Sequence, residues 1–394
     1  MKKTYLLALL CILFLKFDVN AQDENSLEET KKETFGFLKD YVNRIVNDTV
    51  SQEKSQFFFY PVVGYRPETG VEFGVAPLYV YYAKEDTNNR LSEINAYGFF
   101  TLKAQYGLRI DHAIYSDKDK WFFLGDLNFE QFPLKYYGIG NDVPEDNIAL
   151  VDATNIRIRE RVLRRLAENF YIGLETDFVS LSNVTFEDPD DSNQEPNFNL
   201  PFGAEGSTNF GMGLGLVFDQ RRNVLNERDA FFSEVAFLDY NTFWKSDVEF
   251  SSIISDTRFF KSFNKRNVLA MQFLGEFNFG GEVPFNQLSQ MGGENTMRGY
   301  FTGRFRDENQ IAAQVEYRML PLDLGFSKRL GATVFAGVGD VFSNWNELRI
   351  DEIKWAAGVG ARFLLFQQKD VYLRVDYAIT PDENGFYIGV GEAF

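Results

Sequence analysis

The feature that most constrains this chain is an alternation of apolar and polar side chains with a period of two, which recurs from residue 56 to the C-terminus. Successive side chains of a β-strand point to opposite faces. The polar faces are charged, and their members include Arg157, Arg159 and Arg161 in 155–163, Gln314, Glu316 and Arg318 in 310–319, and Arg374 and Asp376 in 370–379. Such faces cannot form the core of a sandwich, but they can line a wet lumen while the apolar faces meet lipid. The alternation therefore predicts an all-β transmembrane barrel.

About sixteen segments show this pattern, and an even number suits a closed bacterial barrel. The predicted strands are 56–64, 70–83, 91–102, 105–116, 120–130, 153–164, 168–181, 208–219, 229–242, 248–261, 267–279, 309–320, 329–338, 353–365, 370–379 and 386–394. The links alternate between short and long. Polar turns such as 116–120 contrast with long links at 131–152, 183–207, 280–308 and 339–352. We therefore expect a 16-stranded antiparallel barrel with short periplasmic turns and long external loops.

The N-terminus predicts export. Lys2 and Lys3 precede an apolar run, and small residues up to Ala21 fit a secretory cleavage site. The single cysteine, Cys11, lies in this run, so a disulfide framework is excluded. Ser26 then begins a capping-box spacing in a helical pattern. The predicted organisation is a signal peptide at 1–21, a short periplasmic or interfacial helical segment at 22–55, equally well a plain linker helix, and a barrel at 56–394.

Composition excludes several function classes. The net charge of −17 and the pI of about 4.7 argue against nucleic acid as a partner, because phosphate binding needs a basic surface. Zinc sites are built mainly from cysteine and histidine, and the chain has one histidine and no cysteine after residue 21, which argues against a zinc site. We predict no metal, no cofactor and no catalytic residue. His112, on the fourth predicted strand, leaves an outer-membrane lipid hydrolase as a remote alternative, and a passive pore is the nearer one.

The glycine-rich segment 291–303, "MGGENTMRGYFTG", links the eleventh and twelfth predicted strands. Together with 60–74, 132–142, 214–232 and the C-terminal strands, it resembles the BamA/TamA superfamily of outer-membrane barrels, also called the bacterial surface antigen domain. In that family this loop folds back into the lumen and carries a tip of a hydrophobic residue, arginine, glycine and an aromatic residue. Met297, Arg298, Gly299 and Tyr300 match the tip.

A buried guanidinium is costly unless it is paired. Glu316, on the polar face of the next strand, lies where the resemblance implies an acid, so we expect Arg298 to contact Glu316. Gly292 and Gly293, like Gly299, would permit tight turns of the loop. The resemblance also implies a second acid on the thirteenth strand. Gly337 occupies that place, so the clamp on Arg298 is either looser here or completed from elsewhere.

The resemblance implies a weakly paired seam between the first and last strands. Pro61 in the first strand cannot donate a ladder hydrogen bond, although a position at a strand end would explain it equally well. Gly389, Gly391 and the terminal Phe394 belong to the last predicted strand. These four residues form the candidate lateral seam.

The resemblance therefore implies a non-enzymatic barrel, integral to the outer membrane of a Gram-negative bacterium, that acts in insertion or translocation of proteins or lipids. We expect a member that lacks POTRA modules, since 22–55 is too short for a further folded domain. The expected partners are outer-membrane lipid, a client protein or lipid, and the barrel-assembly machinery for the protein's own insertion.

Overall fold

The computed structural model describes residues 54–145, 148–189, 199–223, 226–264, 266–322, 324–325, 327–366 and 370–394. The predicted signal peptide and the predicted helical pattern that begins at Ser26 lie outside these residues. In the part of the chain that the structure describes, no helix combines the length and apolar character needed to cross a membrane.

Sixteen long antiparallel strands form one closed barrel, which confirms the predicted fold class. Each barrel strand pairs with its neighbours in chain order, and the first pairs with the last. The barrel strands are β1 (Gln56–Arg66), β2 (Gly70–Tyr82), β3 (Leu91–Thr101), β4 (Tyr106–Tyr115), β5 (Trp121–Gln131), β7 (Ala149–Ala167), β8 (Phe170–Glu187), β9 (Ser207–Asp219), β10 (Ala230–Tyr240), β11 (Phe250–Asn264), β12 (Asn267–Phe279), β15 (Asn309–Met319), β16 (Leu330–Phe342), β17 (Lys354–Phe366), β18 (Val371–Ile379) and β19 (Asn384–Val390).

Three short strands lie in the long links: β6 (Leu134–Tyr136), β13 (Ser289–Met291) and β14 (Phe305–Asp307). The first of them pairs with β7, and the other two pair with each other. The links before β7 and before β15 are therefore ordered segments with hydrogen bonds of their own, and the second of these links carries the Arg-Gly-Tyr motif.

The register explains the alternation. Opposite charges meet on the inner face, where Arg157 Nη2 lies 3.0 Å from Asp177 Oδ2 and Arg161 Nη1 lies 2.6 Å from Glu234 Oε2. The outer face is apolar and exposed, with 59% of Leu214 and 57% of Val359 accessible. Charge pairs inside and accessible aliphatic side chains outside are the arrangement of a membrane barrel rather than of a water-soluble fold.

The strand boundaries differ most from the predicted ones at β7, β8, β19 and β16, the last of which continues to Phe342. The strands β7 and β8 extend well beyond 153–164 and 168–181 on the side of the long loops, where they continue to pair with each other. The prediction that the last strand reaches the C-terminus is wrong: β19 ends at Val390, because Gly391 adopts a φ of +90° and turns the chain out of the ladder.

Candidate functional site

The loop between β12 and β15, residues 280–308, is called the inward loop here because its central side chains are buried against the inner wall. Met297, Arg298, Tyr300 and Phe305 are each at most 2% exposed. The hairpin of β13 and β14 brings the two ends of the loop together, so that the segment between them forms a compact tip.

Glycines make the close packing of this tip feasible. Gly292, Gly293 and Gly299 all have φ values between 108° and 116°, which L side chains rarely adopt. A Cβ atom at Gly292 would lie 2.1 Å from the carbonyl oxygen of Phe301, and one at Gly299 would lie 2.6 Å from Cγ2 of Thr380. The predicted glycine turns therefore hold the loop against itself and against the barrel wall.

Arg298 lies at the centre of the tip. Its Nη2 donates to Glu316 Oε1, and its Nη1 donates to Asp376 Oδ2 at 2.7 Å. The guanidinium also stacks over the Phe335 ring, with its carbon 3.7 Å from the ring centroid. Two carboxylates and an aromatic face thus surround a cation that is only 1% exposed.

The two carboxylates belong to a larger cluster. Arg318 Nε donates to Glu316 Oε2 at 2.8 Å, and Arg362 Nη1 donates to Asp376 Oδ1 at 2.5 Å. Glu392, beyond the end of β19, accepts from Arg362 Nε at 2.9 Å. We call these six residues the arginine cluster: Arg298, Arg318, Arg362, Glu316, Asp376 and Glu392. Three positive and three negative charges alternate in it, so no charge is buried without a partner.

The expected second acid is supplied from a different strand. Gly337 of β16, the thirteenth barrel strand, faces inward beside Gln314, and a Cβ atom there would lie 3.1 Å from Met297 Sδ. The thioether thus occupies the space in which a carboxylate was expected. Asp376, on β18, completes the pairing of Arg298 instead. Asp340, three residues after Gly337 on β16, lies opposite Ile311 of β15 in the register. Its carboxylate accepts a hydrogen bond from Asn141 Nδ2 at 2.9 Å and does not pair with Arg298.

Tyr300, the aromatic residue of the motif, anchors the apolar side of the tip. It packs in a buried cluster with Met291, Met297 and Phe305, and its ring contacts the Phe305 ring edge to face at 5.2 Å. The amide of Gly299 donates to the Tyr387 hydroxyl on β19 at 3.0 Å. The structure therefore brings Met297, Arg298, Gly299, Tyr300 and Glu316 together at one place on the inner wall.

The seam between β1 and β19 is weakly paired. These strands share one register pair among the described residues, Tyr65 with Ile388, whereas β1 shares eleven pairs with β2 and β19 shares seven with β18. Pro61 lies inside β1, opposite Val75 of β2, so it is not at a strand end. Gly389 pairs with Arg374 on β18.

Two of the predicted seam residues lie elsewhere. Gly391 ends the ladder, and the Phe394 ring packs on the inner side near Phe260, with ring centroids 6.4 Å apart. Arg318 donates from Nη2 to the Phe394 carbonyl oxygen at 2.9 Å. The C-terminal residues therefore reach the arginine cluster rather than the β1 edge.

The inward loop contacts both sides of this seam. Glu294 lies 2.7 Å from Arg109 Nη1 on β4 and 3.7 Å from Arg66 Nη1 on β1. On the other side of the seam it lies 3.4 Å from Arg374 Nη2 on β18. One loop carboxylate thus holds arginines from both edges of the barrel.

A second set of contacts lies at the end of the barrel that carries the long loops. Glu68, in the turn after β1, accepts from the Thr302 amide at 2.9 Å and from its hydroxyl at 2.6 Å. Glu383, in the turn before β19, accepts from the Phe301 amide at 3.3 Å. Adjacent residues of the loop therefore join the turns that flank the seam.

Sequence reasoning placed Arg298 and Glu316 but missed Asp376, Glu294 and the arginines around Glu294. The period of two indicates that these side chains face inward. It does not indicate which of these inward side chains contact a loop that crosses the lumen. Those contacts are determined by the way the barrel closes.

The lumen beside the inward loop contains two polar cavities. A cavity of about 490 Å³ is lined by charged residues that include Arg109, Glu130, Arg157 and Asp177. A smaller one of about 180 Å³ lies behind the seam and is lined by Arg66, Arg109 and Glu294 among others. His112, the histidine of the hydrolase alternative, contacts Glu160, with 2.8 Å between Nε2 and Oε2.

The comparisons with known proteins agree with this architecture. The Omp85 superfamily domain matches residues 97–394. BamA from Haemophilus ducreyi lacking POTRA domains 1–3 is similar in structure, with a TM-score of 0.52 at 15% identity over 86% of this chain and 70% of that one. CdiB from Acinetobacter baumannii gives 0.52 at 13% identity over 86% and 60%, and CdiB from Escherichia coli gives 0.53 at 10% identity over 89% and 68%. No curated protein sequence matches the chain.

Replacing Arg298 by alanine should destabilise the barrel by about 3–5 kcal/mol, because two buried carboxylates lose their shared cation. The measurement is the temperature at which the compact band on a semi-native gel converts to the unfolded one. Arg349→Ala is the matched control, since Arg349 contacts Glu352 at 2.8 Å in an exposed loop. An Arg298→Ala protein that melts with the wild type would remove the proposed clamp.

Glu294 should give the barrel a pH-dependent contribution to stability. Burial alone would raise the pKa of this carboxyl, but Arg66, Arg109 and Arg374 lower it to about 2. The contribution is therefore fully present above the unfolded pKa of about 4.3 and is lost as the pH falls towards 2, by at most about 3 kcal/mol.

The measurement is the free energy of unfolding of the wild type and of Glu294→Gln between pH 6 and 2, a range set by the ordinary and lowered pKa values. Because the glutamine side chain carries no titrating proton, the variant should lose less stability over this range. Two parallel curves would show that Glu294 does not stabilise the fold through its charge.

Proposed function

The chain belongs to the Omp85 superfamily, and on that premise we propose that it inserts or translocates an envelope component, a client protein or a lipid, at the outer membrane of a Gram-negative bacterium. The observation that carries the proposal is the seam: one register pair joins β1 to β19 in the described residues, and the inward loop contacts both sides.

The proposed step is an opening of this seam. Breaking one register pair frees backbone donors and acceptors on the edges of β1 and β19, and an extended client strand can add to such an edge by main-chain hydrogen bonds. Pro61 lowers the number of ladder donors on β1. The inward loop would regulate the opening, because Glu294 must release either the Arg66 and Arg109 side or the Arg374 side before the edges separate.

The arginine cluster has a supporting role in this proposal. It fixes the tip of the inward loop on β15, β17 and β18, which lie on one side of the seam. The loop would then remain attached to that side when the contacts to β1 and β4 break. No step of the proposal is enzymatic. Outer-membrane lipid surrounds the apolar wall, and the protein would itself be inserted by the barrel-assembly machinery.

A disulfide across the seam tests the proposal. Tyr65 and Ile388 are directly opposite in an antiparallel ladder, where the Cα separation suits a disulfide. We expect the oxidised Tyr65→Cys, Ile388→Cys protein to lose its ability to support insertion or translocation in cells, and reduction should restore it. The control pair, Val63→Cys with Phe73→Cys, lies within the β1–β2 ladder and should be active in both states. Full activity of the oxidised seam pair would exclude opening.

A passive pore is the second candidate, supported by the two polar cavities in the lumen. Planar-bilayer conductance separates the two functions. We expect small and irregular currents, since the inward loop divides the lumen, and a rise after Glu294→Gln because the loop then loses three arginine contacts. A large and steady conductance of the wild-type protein would favour the pore.

A further inference from the structure

The outer wall of the barrel carries a histidine–glutamate pair that neither the inward loop nor the seam explains. His112 on β4 and Glu160 on β7 both point outward, on either side of Gly125 on β5, and the register aligns the three residues in one row. Nε2 of the histidine lies 2.8 Å from Oε2 of the glutamate. Among the described outward positions of the barrel strands, the other contact between an acidic and a basic side chain joins Lys261 of β11 to Asp229, the residue before β10, at 3.0 Å near the strand ends.

The surroundings of the pair are apolar. The nearest outward neighbours along the strands are Ile110 and Ile114 on β4, and Ile158 and Val162 on β7. Gly125 is four residues above Trp121, at the end of β5 on the side of the short turns. With a rise of about 3.3 Å per residue and a tilt of about 40°, the pair lies about 10 Å inside an apolar band about 25 Å tall. Lipid at that depth offers acyl chains and no polar group.

Gly125 makes the contact between His112 and Glu160 feasible. A Cβ atom at this position would lie 2.4 Å from Glu160 Oε2 and 2.7 Å from His112 Nε2, so any other residue would force the two side chains apart. The side chains remain partly accessible over the glycine, at 20% for His112 and 36% for Glu160. The glutamate and the histidine therefore lie side by side at a shallow notch in the outer wall, formed by β4, β5 and β7.

Ionisable groups inside a membrane are expensive when they face lipid, and they usually face a protein interior or a water-filled cavity, where they pair with one another. This notch complements itself. Consider a second copy of the chain related to the first by a two-fold axis along the membrane normal. Its row of His112, Gly125 and Glu160 faces that of the first copy in the opposite order, so each histidine lies opposite a glutamate of the other copy. The glycine lies on the axis, where small residues allow membrane-embedded surfaces to approach closely.

We propose that the wall formed by β4, β5 and β7 is a dimer interface at which two copies of this chain meet through the His112–Glu160 pair. The interface lies away from the seam, whose neighbours on this side are β1 and β2, so both seams of the dimer remain accessible to lipid. The four polar side chains of the two copies shield one another from the acyl chains. This proposal does not depend on the insertion or translocation function.

Cysteine crosslinking in native membranes tests it. In a Cys11→Ser background, Leu127→Cys places a thiol on the outer face of β5, two residues from the axis. Val338→Cys on the outer face of β16 is the matched control, because this strand lies on the opposite side of the barrel. We expect oxidation to convert Leu127→Cys to a covalent dimer with a yield several-fold above that of Val338→Cys. Equal yields at the two positions would overturn the proposal.

Two further variants test whether the His112–Glu160 pair is responsible for the dimer. Adding Gly125→Ala to Leu127→Cys should lower the dimer yield to that of the control, because the methyl group separates the acid from the base. Exchanging the pair, His112→Glu with Glu160→His, should keep the yield, since the exchanged row still complements itself. The exchanged variant keeps the test decisive if Gly125→Ala does not fold. Loss of the dimer in the exchanged variant while its compact gel band persists, or an undiminished dimer in a folded Gly125→Ala protein, would contradict the proposal.

Discussion

The arginine cluster is the interaction on which the rest of the structure depends. A guanidinium buried in the lumen of a barrel is tolerated only if carboxylates surround it, and Arg298 meets Glu316 and Asp376 there. The same two acids pair with Arg318 and Arg362, which extend to the C-terminal Glu392. Because the cluster is electrically balanced, the inward loop is fixed to one part of the wall, and its other contacts follow from that attachment.

The fixed loop compensates for a weak closure. A barrel stabilises its strands by pairing every edge, and the ladder between β1 and β19 contributes one pair among the described residues. Glu294 and the adjacent residues Phe301 and Thr302 supply contacts across this gap from inside. Ionic contacts of side chains can be exchanged without unfolding a strand, whereas a full ladder cannot. The barrel is thus closed at its seam by groups that are able to reopen.

The sequence predicted the fold well and the site in part, and the physical reasons differ. Alternation, strand length and turn chemistry are local, so sixteen strands could be anticipated from the sequence pattern. The Arg298–Glu316 pair could be anticipated because the family resemblance places the loop in the lumen and Glu316 lies on the polar face of the next strand. Asp376 could not, because β18 becomes a neighbour of the inward loop only when the barrel closes. The end of β19 was also missed: the pattern continues to Phe394, but Glu392 and the terminal carbonyl are drawn towards Arg362 and Arg318. The left-handed conformation of Gly391 ends the strand, and charge pairing holds the residues that follow it.

The central claim is that the inward loop holds the two edges of the seam together. Hydrogen–deuterium exchange of backbone amides in reconstituted membranes tests it most directly, with wild type compared to a Glu294→Gln, Arg298→Ala double variant. The account predicts that exchange in β1 and β19 of the variant rises by a larger factor than exchange in β7 and β8, whose mutual ladder is long. Exchange that is unchanged at β1 and β19, or that rises equally in all strands, would contradict it.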